Sequence, residues 1–125
     1  MKFIFIILFV LYPSICFGVY EWKLIKKTKY SYYYIDMNTF TIQNERRFYL
    51  KLRSYKEKNQ YEEKSNIVDV ETDCDTLKSR FLKTIYPRNN EKGKSKLLNE
   101  VGNWEIFEKG STGMYIANYV CSLSK

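Results

Sequence analysis

Residues 46–55 read Arg-Arg-Phe-Tyr-Leu-Lys-Leu-Arg-Ser-Tyr, and their alternation decides the fold class. Phe48, Leu50 and Leu52 occupy every second position, with Tyr49, Lys51, Arg53 and Tyr55 between and beyond them. Only an extended backbone sends successive side chains to opposite faces. The stretch is therefore a strand with an apolar face and a mixed basic and aromatic face.

Working outward, Asn44-Glu45 supplies a hairpin turn before this strand, and the polar, charged segment 56–65 after it reads as an exposed loop or strand tips. Residues 66–75 alternate again, placing Val68, Val70, Thr72 and Cys74 inward and Asp69, Glu71 and Asp73 on a solvated face. Residues 76–86 fit helix or strand by pattern. Strand is preferred because Phe81, Thr84, Ile85 and Tyr86 favour extended structure and Pro87 ends the run. Residues 88–98 carry the breakers of a long mobile loop, and 104–109 read as a last strand closed by Gly110.

Upstream, 20–26 alternates and ends in a lysine-rich turn, while 30–36 is dense in Tyr and Ile. Asp36-Met37-Asn38-Thr39 offers short polar side chains that bond nearby backbone N–H groups in turns. The C-terminal segment differs. Ser111 is a suitable N-cap, 114–123 lacks proline and glycine, and Met114, Ala117, Val120 and Cys121 fall at helical spacing. These features predict a short helix docked on the sheet.

The first eighteen residues have the layout of a secretory signal peptide. Lys2 is followed by an apolar run to Tyr12, a break at Pro13-Ser14, and small residues suited to cleavage between Gly18 and Val19. The apolar core is about ten residues, against the ~20 that span a bilayer as a helix, so no transmembrane segment is expected after cleavage. Ile15 ahead of Cys16 is not the small residue that lipidation requires. With Cys16 removed, Cys74 and Cys121 form an even pair in a chain sent to an oxidising compartment. One disulfide is the default, with two buried free thiols as the alternative. The expected domains are a signal peptide, 1–18, and one small domain, 19–125.

The formal net charge is +7 and the isoelectric point about 9.2. Export weighs against nucleic acid and leaves lipid head groups, acidic envelope polymers, glycans or acidic host proteins as polyanionic partners. The chain has no histidine, which excludes His-based triads and imidazole zinc sites. Nor does it contain a Gly-rich phosphate loop. No catalytic residue, metal site or cofactor is assigned, and the chain reads as non-enzymatic.

Twelve tyrosines offer large contact area with few rotors, as binding surfaces do. Tyr32 and Tyr34 share one strand face. Tyr49, Lys51, Arg53 and Tyr55, with Arg46 nearby, could present stacking and cationic groups together. This set is the candidate binding surface. The competing reading makes the rings core and the cations a solvated face.

The ordered set Trp22, Ile25, Tyr34-Ile35-Asp36, Thr39, Arg47, Phe48-x-Leu50-x-Leu52, Tyr55, Asp73-Cys74, Trp104, Gly110-Ser111 and Tyr119-Val120-Cys121 resembles the surface-adhesin protein E family of Gram-negative bacteria. The resemblance implies an α+β fold: an antiparallel sheet of about six strands with a C-terminal helix tethered to it by a disulfide. It further implies a homodimer through the sheet, and an adhesin that binds host matrix or plasma proteins such as vitronectin, laminin and plasminogen. The founding member is a lipoprotein, and this chain lacks a usable lipobox. That departure favours a soluble periplasmic or secreted protein, and an envelope accessory role without a host ligand is the alternative function.

Overall fold

A computed structural model describes residues 19–58, 64–86 and 101–124. Among the described residues, six strands precede one helix: β1 (Trp22–Lys27), β2 (Ser31–Asp36), β3 (Thr41–Gln43), β4 (Arg46–Tyr55), β5 (Ser65–Asp73), β6 (Lys78–Tyr86) and α1 (Thr112–Ser122). All form one antiparallel sheet in the order β1-β2-β4-β5-β6, and β3 pairs with the start of β4. The predicted α+β class is the observed one. The signal peptide and the loop expected at 88–98 lie outside the described residues.

Local chemistry accounts for the turns. Asn44 adopts φ 53° between β3 and β4, the left-handed region that asparagine tolerates better than most residues. After β2, Asp36 is fully buried and acts as a clasp. Its Oδ1 accepts from the Glu21 and Asn38 N–H groups at 2.6 and 3.1 Å. Its Oδ2 accepts from the Thr39 hydroxyl at 2.6 Å and the Thr39 N–H at 3.3 Å. The turn chemistry expected for 36–39 is thus present, and it also anchors the chain entering β1.

The core lies between one face of the sheet and α1. Ile25, Tyr33, Ile35, Phe40, Tyr49 and Val70 meet Ile116 and Val120 of the helix. In α1, Ser111 is the N-cap, its Oγ accepting from the Met114 N–H at 3.1 Å. Cys74, just beyond β5, is bonded to Cys121 in the last turn of α1, with the two Cα atoms 5.6 Å apart. The bond joins the end of the helix to the β5–β6 turn.

Three expectations need correction. Residues 104–109 do not form a strand. Glu105 makes one isolated bridge with Ser79, and the chain then leaves the sheet edge toward α1. The helix begins at Thr112 rather than Met114 and includes Gly113. A Cβ on Gly113 would lie 2.3 Å from Phe107 Cδ1, so the position is glycine for close packing. Finally, Glu71 does not lie on a solvated face; it is 4% exposed.

β4 also carries a reversal. Tyr49 pairs with Val70 and Lys51 with Val68, whereas Leu50 pairs with Asp69 and Phe48 with Glu71. The basic and aromatic side of β4 therefore faces the helix, and its leucines face away. One strand's preference is outvoted by its neighbours. Tyr33 and Ile35 on β2 and Val70 and Thr72 on β5 are all buried on the helix side, and register moves every residue of a strand together.

Candidate functional site

The candidate binding residues divide between the two faces of the sheet. Tyr49, Lys51, Arg53 and Tyr55 share the helix-side face. Tyr32, Tyr34 and Arg46 lie on the outer one. They do not form one surface.

On the outer face, Leu24, Tyr34, Leu52, Ile67 and Tyr86 are consecutive register partners across all five strands of the main order. They make a continuous apolar row whose ends, Leu24 and Tyr86, are exposed. Arg46 belongs to a separate cluster. Its Nη1 lies 2.6 Å from Glu71 Oε2, Arg80 Nε lies 2.7 Å from Glu71 Oε1, and both guanidinium groups rest on the Trp104 ring at 4.9 and 4.4 Å. A buried carboxylate held by two arginines is neutralised where it sits. Beside it, burial pushes the Asp69 carboxyl up, with the Lys83 charge and the Val70 N–H opposing the shift.

Tyr49, Lys51 and Arg53 line a cavity of about 360 Å³, and Tyr55 lies outside its lining. Tyr49, Val70, Ser79 and Phe81 come from the sheet, and Phe107, Ser111, Thr112, Gly113 and Ile116 close it from the helix side. Lys51 and Arg53 enter from β4, one strand repeat apart. Tyr49 is 3% exposed and lines the cavity. Its hydroxyl meets Thr72 Oγ1 at 2.8 Å, and Thr72 Oγ1 meets Ser79 Oγ at 2.7 Å. Burial pushes the Tyr49 phenol up to about 12, against the lowering effect of Thr72 and Ser79. These hydroxyls form a neutral strut across β4, β5 and β6.

The cations above this strut are held by rings. The Arg53 guanidinium lies 5.2 Å from the Tyr33 ring and 4.5 Å from Tyr55, and its Nε–H donates to Ser31 Oγ at 3.0 Å. Lys51 Nζ sits 4.8 Å from the Phe81 ring. Burial lowers the Lys51 ammonium to about 8, with the Arg53 charge adding to the shift and Glu105 opposing it. Among the described residues, no carboxylate lies within the 4.0 Å ion-pair distance of Lys51 or Arg53. Sequence reasoning found Lys51 and Arg53 but missed Ser79, Phe81, Phe107 and Gly113. Gly113, inside an otherwise helical run, was the available signal that a side chain packs directly on the helix backbone here, as the Phe107 ring does.

Among the described residues the architecture is a single antiparallel sheet with one disulfide-tethered helix, and a cavity of rings and cations lies between them. The chain belongs to the surface-adhesin protein E family, whose model matches residues 22–122. No curated protein and no solved structure matches it. Among the described residues, no helix is long and apolar enough to cross a membrane.

Proposed function

We propose that the chain is an exported, non-enzymatic binding protein that attaches to host matrix or plasma proteins through the face around Lys51 and Arg53. The carrying observation is that a surface-adhesin domain holds two ring-supported cations in an open cavity instead of pairing them with its own described carboxylates. Desolvated arginines and aromatic rings are the groups that dominate protein–protein binding energy. Export in this reading uses residues 1–18 as a leader, cut between Gly18 and Val19.

Immobilised vitronectin, laminin and plasminogen test the reading. Saturable binding to at least one is expected, weakened roughly tenfold by Arg53→Met. Absence of binding to all three would overturn the host-protein reading. Protease treatment of intact cells tests display. Cleavage of the chain supports adhesion, and protection until the outer membrane is permeabilised supports the periplasmic envelope role with acidic polymers as partners. A homodimer through the sheet would use the outer apolar row. Sedimentation should then show a dimer that Leu52→Glu converts to monomer.

A further inference from the structure

We infer that the cavity between the sheet and the start of α1 is a carboxylate-binding subsite that takes one monoanionic carboxylate on a compact apolar carrier. The inference rests on the chain being a binding protein, and not on the partner being a host protein.

Three sources of positive potential converge there. Lys51 and Arg53 both line the space, on the same face of β4. Ser111, Thr112 and Gly113, at the N-terminal end of α1, line it from the other side, and no acidic residue occupies the first turn of this eleven-residue helix. An α-helix presents unpaired N–H groups and partial positive charge at that end. Keeping two cations half-buried without an ion pair is unfavourable, and a bound anion relieves it.

The walls set the rest of the ligand. Tyr33, Phe81, Phe107 and Ile116 supply apolar surface, and Ile106 at the lining is 74% exposed, so the carrier must be apolar. A volume of about 360 Å³ is near the lower end of small-ligand pockets, roughly 300–1,000 Å³. The carrier is therefore compact.

Charge selects the anion. Glu108 lines the same cavity and Glu105 acts on Lys51 from nearby, and both are exposed. Two acids near two basic residues disfavour a dianionic phosphate and tolerate a single negative charge. The planar Arg53 guanidinium also matches a planar carboxylate. A free organic acid and the end of a protein segment offer this same carboxylate chemistry.

The test is a titration of isotope-labelled protein, followed by amide shifts, with 3-phenylpropionate, its alcohol analogue 3-phenylpropan-1-ol, and phenylphosphonate. Saturable shifts at Lys51, Arg53, Phe81 and Gly113 are expected with the carboxylate, with at least a tenfold weaker response to the alcohol and weaker binding of the phosphonate. Lys51→Met should weaken the carboxylate at least tenfold while keeping a dispersed, folded spectrum. Arg53→Met provides a second variant with the same expectation. Equal binding of alcohol and carboxylate, unchanged binding in both variants, or no saturable shift at these amides would overturn the subsite. A peptide ending in phenylalanine with a free carboxylate, compared with its amidated form, separates the sources. Tighter binding than phenylpropionate assigns a protein segment, and weaker binding assigns a free acid. Host-protein capture that is weakened by Arg53→Met, with no saturable carboxylate shift, would leave the adhesin reading standing while removing the subsite from it.

Discussion

At the scale of single residues, Asp36 and Lys51 illustrate opposite uses of a buried charge. For Asp36, burial pushes the carboxyl up, but hydrogen bonds from the Thr39 hydroxyl and the Glu21, Asn38 and Thr39 N–H groups outweigh it and hold the group below the usual carboxylate value. A folded value below the unfolded one stabilises the fold above the unfolded pKa and is lost as pH falls through the folded value. Asp36→Asn keeps one acceptor and turns a donor toward donors. It should destabilise by about 2 kcal/mol at pH 7, read from the urea midpoint, and flatten the acid limb of the stability profile. Lys51 behaves oppositely. Its folded value, about 8, lies below the unfolded ~10.4, so the unfolded chain binds more protons between them and stability rises with pH there. Lys51→Met should therefore raise stability by on the order of 2 kcal/mol at pH 7, and its advantage should shrink by pH 10. A variant more stable and less able to bind is the signature of a group retained for function.

At the scale of elements, α1 depends on two small residues at its start. Ser111→Ala removes the cap bond to Met114 and should cost about 1 kcal/mol. Gly113→Ala should improve helix propensity by up to about 1 kcal/mol. However, its Cβ would strike the Phe107 ring, and overpacking of that kind costs about 1–3 kcal/mol. Net destabilisation is expected by thermal melt, with loss of carboxylate binding as Phe107 is displaced. The elements themselves were largely legible in the sequence. The strand at 46–55 was read with its observed bounds, and the Asn44-Glu45 turn and the Ser111 cap follow from local chemistry. What was not legible was which face of β4 would be covered. That choice belongs to Ile35, Val70 and Thr72 on neighbouring strands, so alternation within β4 marks two faces without saying which meets the helix. The failed strand at 104–109 has a similar cause. Its alternating pattern serves Trp104 against the Arg46–Glu71–Arg80 cluster and Phe107 against Gly113, contacts made on the way from sheet to helix.

At the scale of the whole molecule, the Cys74–Cys121 bond closes a loop of sequence separation 47, for which chain-entropy reasoning gives roughly 4 kcal/mol. That is a large share of the 5–15 kcal/mol typical of a domain. Reduction, or the double Cys74→Ser and Cys121→Ser change, should lower the urea midpoint accordingly; an unchanged midpoint would contradict the tether's role. The pairing was legible as the default for an even pair of cysteines behind a signal-peptide layout, and as what the family resemblance implies. The cavity was less legible still, since it exists because the segment from Trp104 to α1 folds back over β4, and no local pattern encodes that return.

The same bond has a mechanical consequence. Tension applied beyond Cys121 reaches the sheet through the sulfur bridge at Cys74, without passing along the backbone between them. β6 and α1 up to Cys121 lie inside that bypass and carry no load, while β1, β2, β3, β4 and β5 stand in series with the force. Under pulling, the oxidised chain should lengthen by less than its full contour, and reductant should release the hidden length. A domain wired in this way keeps the end of its helix fastened beside Cys74 while the strands outside the loop, β4 and its cavity wall included, are being peeled apart.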